Sequence, residues 1–244
     1  NNVMGSQVVM ALAERYKAER FVLVSTDKAV RPTNVMGTTK RLSELLLLSM
    51  DGNRTKFMAV RFGNVIASSG SVIPLFRRQI EHGGPVTVTH PEVTRYFMTI
   101  PEAAQLILQA GALGNGGEIF VLEMGTPVKI IDMATDLIRL SGKEPGRDIE
   151  IVVTGLRPGE KLYEELIAQE EDVISTQHEK IMIIHNNGRW DWNGHGKPEL
   201  FRFWLQQEIE ELYKIAATNN SCAIKEKLSR IMPEYTPQHT GCVL

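Results

Sequence analysis

The chain is poor in cysteine, with two in 244 residues, Cys222 and Cys242. Neither has a partner at zinc-ligand spacing, which excludes a zinc knuckle, and two cysteines are too few for a disulfide-dense scaffold. Both are expected to be reduced thiols of a cytosolic protein. The terminal Gly241-Cys242-Val243-Leu244 places its cysteine third from the end, which rules out a prenylation box. No apolar run approaches the roughly 20 residues of a bilayer-spanning helix. The longest aliphatic block is 45–48. A formal charge of −2 leaves no basic excess for nucleic acid, and no basic amphipathic helix suits an anionic membrane surface. There is no internal repeat or low-complexity tract. The six histidines form no metal-like cluster; His185 and His195 lie in loop-rich sequence without acidic partners.

One further absence shapes the reading. No G-x-G-x-x-G follows a strand, and the glycines at 111–117 lie between a helix and a strand, as in a turn. A dinucleotide site needs such a loop at a helix N-terminus to hold the pyrophosphate.

What is present is an α/β alternation, long enough for one large domain or two small ones. Helical spacing covers the start of the chain to about residue 18, then 34–50, 73–81, 101–112, 129–140, 198–217 and 221–231. Short apolar or alternating runs at 21–24, 56–62, 86–89, 95–98, 118–122 and 149–153 read as strands. Beyond 184 the pattern weakens into loop-rich sequence around Arg189, Trp190, Asp191 and Trp192, aromatics expected to pack the tail onto the domain.

Where the first strand ends, the chain presents Ser25, Thr26, Asp27 and Lys28, with Lys40 near the start of the next helix. In open α/β sheets this carboxyl edge is where ligands bind. An isolated Asp-Lys dipeptide is more often a pair of solvated loop charges. At a strand end the same pair can work as acid and base. The longer run around it decides between the two.

Ser25-Thr26-Asp27-Lys28-Ala29-x-x-Pro32-x-Asn34-x-Met36-Gly37-x-x-Lys40 resembles the active-site segment of extended short-chain dehydrogenase/reductases. Within that superfamily it is most similar to the polysaccharide-biosynthesis group of nucleotide-sugar 4,6-dehydratases, which act on UDP-N-acetylglucosamine. The resemblance continues through Arg61-Phe62-Gly63-Asn64-Val65, Thr94-Arg95-Tyr96-Phe97-Met98-Thr99 and Arg157-Pro158-Gly159-Glu160-Lys161-Leu162-Tyr163-Glu164-Glu165, and reaches Pro233-Glu234-Tyr235.

The resemblance implies an α/β fold: a partial Rossmann-like, doubly wound parallel sheet whose N-terminal strands are missing, with a smaller α/β substrate-binding domain and C-terminal helices. Residues 1–155 would be the end of the NAD(P)-binding domain, interleaved with substrate-binding segments at about 66–95. Residues 156–185 would complete the substrate domain, and 186–244 would be a linker and helical tail. With no glycine-rich loop, the chain is expected to be the C-terminal portion of a longer protein and to lack turnover by itself.

Carried over by resemblance, the catalytic positions are Thr26, Asp27, Lys28 and Met36. NAD or NADP would meet Ser25, Lys40, Phe62, Asn64 and Val65. The UDP-sugar would meet Asn64, Ser71, Val72, Thr87, Thr89, Arg95, Arg157 and Glu160, with Arg157 as a diphosphate clamp and Glu160 near the ribose. No metal is implied. The family also implies a homo-oligomer, with no nucleic-acid partner. It places the protein in the cytoplasm, with a parent anchored at the cytoplasmic face of the inner membrane.

Met36 departs from the superfamily, which places tyrosine there to take a proton. Methionine has no titratable proton. Some long, membrane-anchored members of the dehydratase group share it, and there the work falls on the neighbouring Asp and Lys. The implied chemistry is oxidation at C4, loss of water across C5 and C6, and reduction at C6. Lys28 would act as base in its neutral form, Asp27 as acid, and Thr26 would hydrogen-bond the C4 oxygen. The rival readings are an epimerase of the same superfamily, which needs no Asp-Lys pair, and a non-catalytic sugar-nucleotide-binding module, which needs neither that pair nor Lys40.

Overall fold

The computed structural model describes residues 1–50, 54–68, 70–185 and 197–237. In chain order the elements are α1 (Asn2–Arg15), β1 (Arg20–Val24), α2 (Val35–Leu48), β2 (Lys56–Arg61), β3 (Asn64–Val65), α3 (Val72–Glu81), β4 (Val86–Val88), β5 (Thr94–Arg95) and β6 (Phe97–Met98). There follow α4 (Ile100–Leu113), β7 (Glu118–Leu122), β8 (Val128–Lys129), α5 (Ile130–Leu140), β9 (Ile151–Val153), β10 (Asp172–Ser175), β11 (Ile181–His185), α6 (Pro198–Ala217) and α7 (Ser221–Ile231). No helix among the described residues is long and apolar enough to cross a membrane. The α/β class is as the sequence implies.

The chain forms two compact units. The first comprises Asn1–Phe62, Leu106–Glu123 and Glu165–Leu244, and holds a five-stranded sheet in the order β1-β2-β7-β11-β10. Strands β1, β2 and β7 run parallel. β2 and β7 are almost continuously buried, as parallel strands covered on both faces are. The leucine-rich face of α2 (Leu42, Leu45, Leu46, Leu47, Leu48) shares one core with Phe57 and with Phe201, Leu205, Ile209, Leu228, Ile231 and Tyr235. The C-terminal helices therefore belong to the same core as the parallel sheet. Burying Phe201 and Leu205 alone removes enough apolar surface to contribute on the order of 4 kcal/mol.

The second unit, Gly63–Gln105 and Met124–Glu164, has a separate core. Phe76 and Ile80 of α3, Val86 and Val88 of β4, and Ile130, Ala134 and Ile138 of α5 pack together with Val93 and Ile149. β4 and β9 pair in parallel.

Three expectations are corrected. The 95–98 strand is two strands: Thr94–Arg95 pairs antiparallel with β8, whereas Phe97–Met98 pairs parallel with β3. The chain changes partner at Tyr96. The parallel sheet also ends in an antiparallel hairpin, β10–β11, with β11 against β7. Its short strands, flanked by polar loops, carry too little periodicity to be read from sequence. Finally, Cys222 is disulfide-bonded rather than a reduced thiol, and none of the described cysteines is free. Cys242, His195, Trp190 and Trp192 lie outside the described residues.

Candidate active site

At the carboxyl end of β1 the backbone is drawn onto its neighbour: Ser25 N–H donates to the Val60 carbonyl at 2.8 Å and Asp27 N–H to that of Phe62 at 3.1 Å. A single 3-10 turn, Asp27–Ala29, follows, capped by Thr26. The Thr26 hydroxyl donates to Asp27 Oδ1 at 2.8 Å, and Lys28 Nζ lies 2.9 Å from the same oxygen. Asp27 is wholly buried, and its second oxygen, Oδ2, has no hydrogen-bond partner. A buried carboxyl oxygen normally finds a donor. One left open at a strand end is suited to exchanging a proton with a ligand.

Helix α2 sits against this turn. Asn34 caps it, its side chain accepting from Gly37 N–H at 2.9 Å. Gly37 is required here, because a Cβ at that position would come 2.1 Å from the Lys28 carbonyl oxygen. Lys40, one turn after Met36, donates from Nζ to the Val24 carbonyl at 3.0 Å. Burial pushes its amine below the ordinary lysine value, and the Glu44 charge partly restores it. Met36 is 45% exposed on the helix surface.

Five charged residues behind the turn form a network that the sequence reading missed. Glu44 Oε1 accepts from the Ser25 hydroxyl at 2.6 Å and from Arg61 Nε at 2.9 Å. Its Oε2 accepts from Arg61 Nη2 at 2.8 Å and Arg41 Nη1 at 2.9 Å. Arg61 Nη1 continues to both oxygens of Glu171 at 2.9 and 2.8 Å, and Arg41 Nε to Glu234 at 3.3 Å. Burial alone would raise Glu44, but the Arg61 charge and hydrogen bonds, then Arg41 and the Ser25 hydroxyl, bring it down to about 2. A signal was available: Glu44 interrupts a leucine run and Arg61 ends an apolar strand, so each sits where a lone charge would be costly. The turn is braced further by Arg31, whose backbone is left-handed at φ 40° and whose guanidinium pairs with the Glu165 carboxylate.

The remaining predicted positions lie elsewhere in the chain. Phe62 is buried, just past β2. Within the second unit, Asn64 and Val65 form β3, with Asn64 N–H donating to the Tyr96 carbonyl at 2.9 Å. Ser71 caps α3 with a buried hydroxyl that has no partner, and Val72 begins that helix. Thr87 is engaged by Gln79, its N–H donating to Oε1 at 3.1 Å and its hydroxyl accepting from Nε2 at 2.8 Å. Thr89, Arg95, Arg157 and Glu160 do converge. Thr89 Oγ1 donates to Glu160 Oε1 at 3.0 Å, Arg95 Nη2 to the same oxygen at 3.3 Å, and the Arg157 backbone N–H to Oε2 at 3.1 Å. The Arg157 side chain is exposed, whereas Arg95 is buried with its guanidinium held by Glu160 and by the Thr94 and Leu162 carbonyls at 2.7 and 3.2 Å. Among the described residues no cluster of three potential metal ligands occurs.

A family profile described as "Polysaccharide biosynthesis protein" matches residues 1–186. The chain belongs to this family. Among family relatives, the capsular polysaccharide biosynthesis protein CapD of Staphylococcus aureus is 60% identical over 183 residues, covering 74% of this chain and 30% of CapD. The probable polysaccharide biosynthesis protein EpsC of Bacillus subtilis is 58% identical over 217 residues, covering 88% and 34%. The chain thus spans about a third of the length of these two relatives. A UDP-glucose 4-epimerase of Rickettsia rickettsii is 38% identical over 176 residues, covering 70% of this chain and half of that protein. Of solved structures, Pen of Bacillus thuringiensis has 36% identity and a TM-score of 0.70, covering 77% of this chain and 59% of its own. DesIV, a dTDP-glucose 4,6-dehydratase of Streptomyces venezuelae crystallised with NAD and TYD, has 21% identity and a TM-score of 0.60, covering 68% and 56%. At that identity it establishes the shared Rossmann-like fold.

Proposed function

We propose that the chain carries the catalytic segment of an NAD(P)-dependent nucleotide-sugar 4,6-dehydratase, a hydro-lyase that converts UDP-N-acetylglucosamine to a UDP-4-keto-6-deoxy sugar for surface-polysaccharide synthesis. The observation that carries the reading is the Asp27–Lys28 contact at 2.9 Å beside the unpartnered, buried Asp27 Oδ2. An acid and a base sharing one hydrogen bond are what elimination of water needs, whereas hydride transfer alone needs one proton acceptor and no paired acid.

Bound NAD(P) supplies the hydride chemistry, oxidation at C4 followed by reduction at C6. Lys40, anchored to the end of β1, fits the nicotinamide ribose, and Asn64 and Val65 of β3 lie in the segment assigned to the cofactor. Asp27 as the neutral acid and Lys28 as the neutral amine hold the same number of protons as the ion pair, with one proton moved along their hydrogen bond. Lys28 takes the C5 proton once C4 is a ketone, and Asp27 gives its proton to the departing C6 hydroxyl, which leaves as water. Lys28 then returns a proton to C5; the C4 hydroxyl proton passes to water at the oxidation step, while Asp27 is still protonated, and one proton taken back from water afterwards restores Asp27. Thr26, whose hydroxyl donates to Asp27 Oδ1 without substrate, would turn it to the C4 oxygen once the sugar is bound. Arg95, Arg157, Glu160 and Thr89 bind the UDP moiety, and Ser71 offers its unpartnered hydroxyl to the diphosphate.

The second reading is a sugar-nucleotide epimerase, favoured by the 38% identity to the Rickettsia enzyme. Incubating this chain, and the longest natural protein that carries it, with UDP-N-acetylglucosamine and NAD+ separates the two. Loss of one water, read by mass spectrometry, supports the dehydratase. A sugar product of unchanged mass and altered configuration establishes the epimerase. Bound sugar nucleotide with no turnover by either protein indicates a binding module.

A further inference from the structure

Lys40 and Glu44 lie one turn apart on α2 and grip consecutive residues at the end of β1: Lys40 holds the Val24 carbonyl and Glu44 the Ser25 hydroxyl. Thr26, Asp27 and Lys28 follow immediately. Glu44 is itself locked by the fork of Arg61, at 2.9 and 2.8 Å, and by Arg41 at 2.9 Å. Arg61 is the last residue of β2, and the carbonyl of the next residue, Phe62, accepts the Asp27 N–H. Both backbone ends that hold the Asp27–Lys28 turn are therefore tied to one buried carboxylate.

Two segments remote in sequence complete the clamp. Glu171 grips the far side of Arg61, and Glu234 meets Arg41, while Thr236 N–H donates to the Pro32 carbonyl at 3.0 Å. A buried ion pair is weak support for stability, since an apolar pair of similar volume often packs as well. A bidentate guanidinium–carboxylate fork instead imposes geometry. That property is what a proton-transfer site needs, because displacement by about 1 Å can cost on the order of 100-fold in rate.

We infer that Glu44 is a positioning residue for the Asp27–Lys28 pair. Clamped by Arg61 and Arg41, it sets the end of β1 through Ser25 and thereby places the acid and the base. The catalytic readout of this role rests on the dehydratase reading, whereas the structural readout does not.

The test uses Glu44→Ala and Glu44→Gln in the longest natural protein that carries the chain, beside Lys227→Met as a control. Lys227 is a buried charge of the α6–α7 pairing, held by Glu208 at 2.8 Å and Glu211 at 2.5 Å. In Glu44→Ala, amide exchange across 24–31 should rise about tenfold or more, while Lys227→Met leaves it within about twofold of wild type. The kcat for water loss should fall about 10- to 100-fold, with KM for UDP-N-acetylglucosamine within about threefold. Glu44→Gln keeps an acceptor for Ser25 but loses the charge that holds the two arginines, so it should fall between; it carries the same comparison if the alanine variant does not fold. Exchange at 24–31 unchanged in a folded Glu44 variant overturns the inference. So does a kcat loss that Lys227→Met reproduces at equal thermal destabilisation. A wild-type protein that loses no water refutes the dehydratase reading, and the exchange comparison then decides the positioning role by itself.

Discussion

Lys28 Nζ lies 2.9 Å from Asp27 Oδ1, and the other oxygen of the same carboxyl is buried with no hydrogen-bond partner. One atom of the acid is thus committed to the base and the other is open. Lys28→Ala should leave UDP-sugar affinity within about threefold, because the predicted UDP-binding cluster is a separate set of residues, and lower dehydration by at least about 1,000-fold. Asp27→Asn keeps the shape but cannot donate a carboxyl proton, and should lose a similar factor. Calorimetric binding alongside a mass-spectrometric turnover assay checks both. Turnover within tenfold of wild type in either variant would remove the pair from the mechanism.

Met36 occupies the position of a tyrosine in much of the superfamily, yet is 45% exposed and carries no exchangeable proton. Met36→Ala should therefore retain turnover within about threefold and leave the melting temperature nearly unchanged, since exposed truncations stay within about 0.5 kcal/mol. Steady-state kinetics and a thermal melt suffice. A loss as deep as that of Lys28→Ala would show that methionine shapes the site after all.

Gly37→Ala puts a methyl 2.1 Å from the Lys28 carbonyl oxygen, with backbone rather than a flexible side chain as the obstacle. Either α2 or the turn must shift. Overpacking of this kind costs about 1–3 kcal/mol. Turnover should fall further than stability implies, because the displaced carbonyl belongs to the proposed base. Gly5→Ala, where a Cβ meets nothing within 4 Å, is the matched control and should be neutral or slightly stabilising.

The clamp also predicts an acid limit. In the folded protein Glu44 sits at about 2, below the ordinary 4.5. A carboxyl held low when folded favours folding above its unfolded value and loses that contribution as pH falls toward the folded value. The difference corresponds to about 3 kcal/mol, present in full above about pH 5 and lost progressively down to about pH 2. Urea unfolding of wild type between pH 6 and 3 should show this slope, and Glu44→Gln should flatten it. Equal slopes in the two proteins would place the acid sensitivity elsewhere.

Several features were legible because their causes are local. The apolar β1 run ends at Val24, although only Leu23 in it is buried rather than the whole strand, α2 follows its Asn34 cap, and α6 and α7 begin and end where helical spacing does. The place of Thr26, Asp27, Lys28 and Lys40 around the end of β1 was legible from sequence, whereas their reading as an acid and base site rested on the family resemblance. Thr89, Arg95 and Glu160 were named separately, by resemblance; their meeting on one carboxylate is a long-range contact that no local pattern encodes.

By itself, then, the sequence determined the helices and the strands β1, β2, β4, β7 and β9 to within a few residues, which residue types stand at the end of β1, and the family. Periodicity and side-chain chemistry act over a few residues, and that is the range over which those features are set. Only the tertiary structure decided the rest: that an antiparallel hairpin extends the parallel sheet, that Cys222 is bonded, that the C-terminal helices share the core of α2, and that Glu44, Arg61 and Glu171 meet behind the turn. A buried charge must find its partner wherever the fold brings one, here from β2 and from more than a hundred residues away.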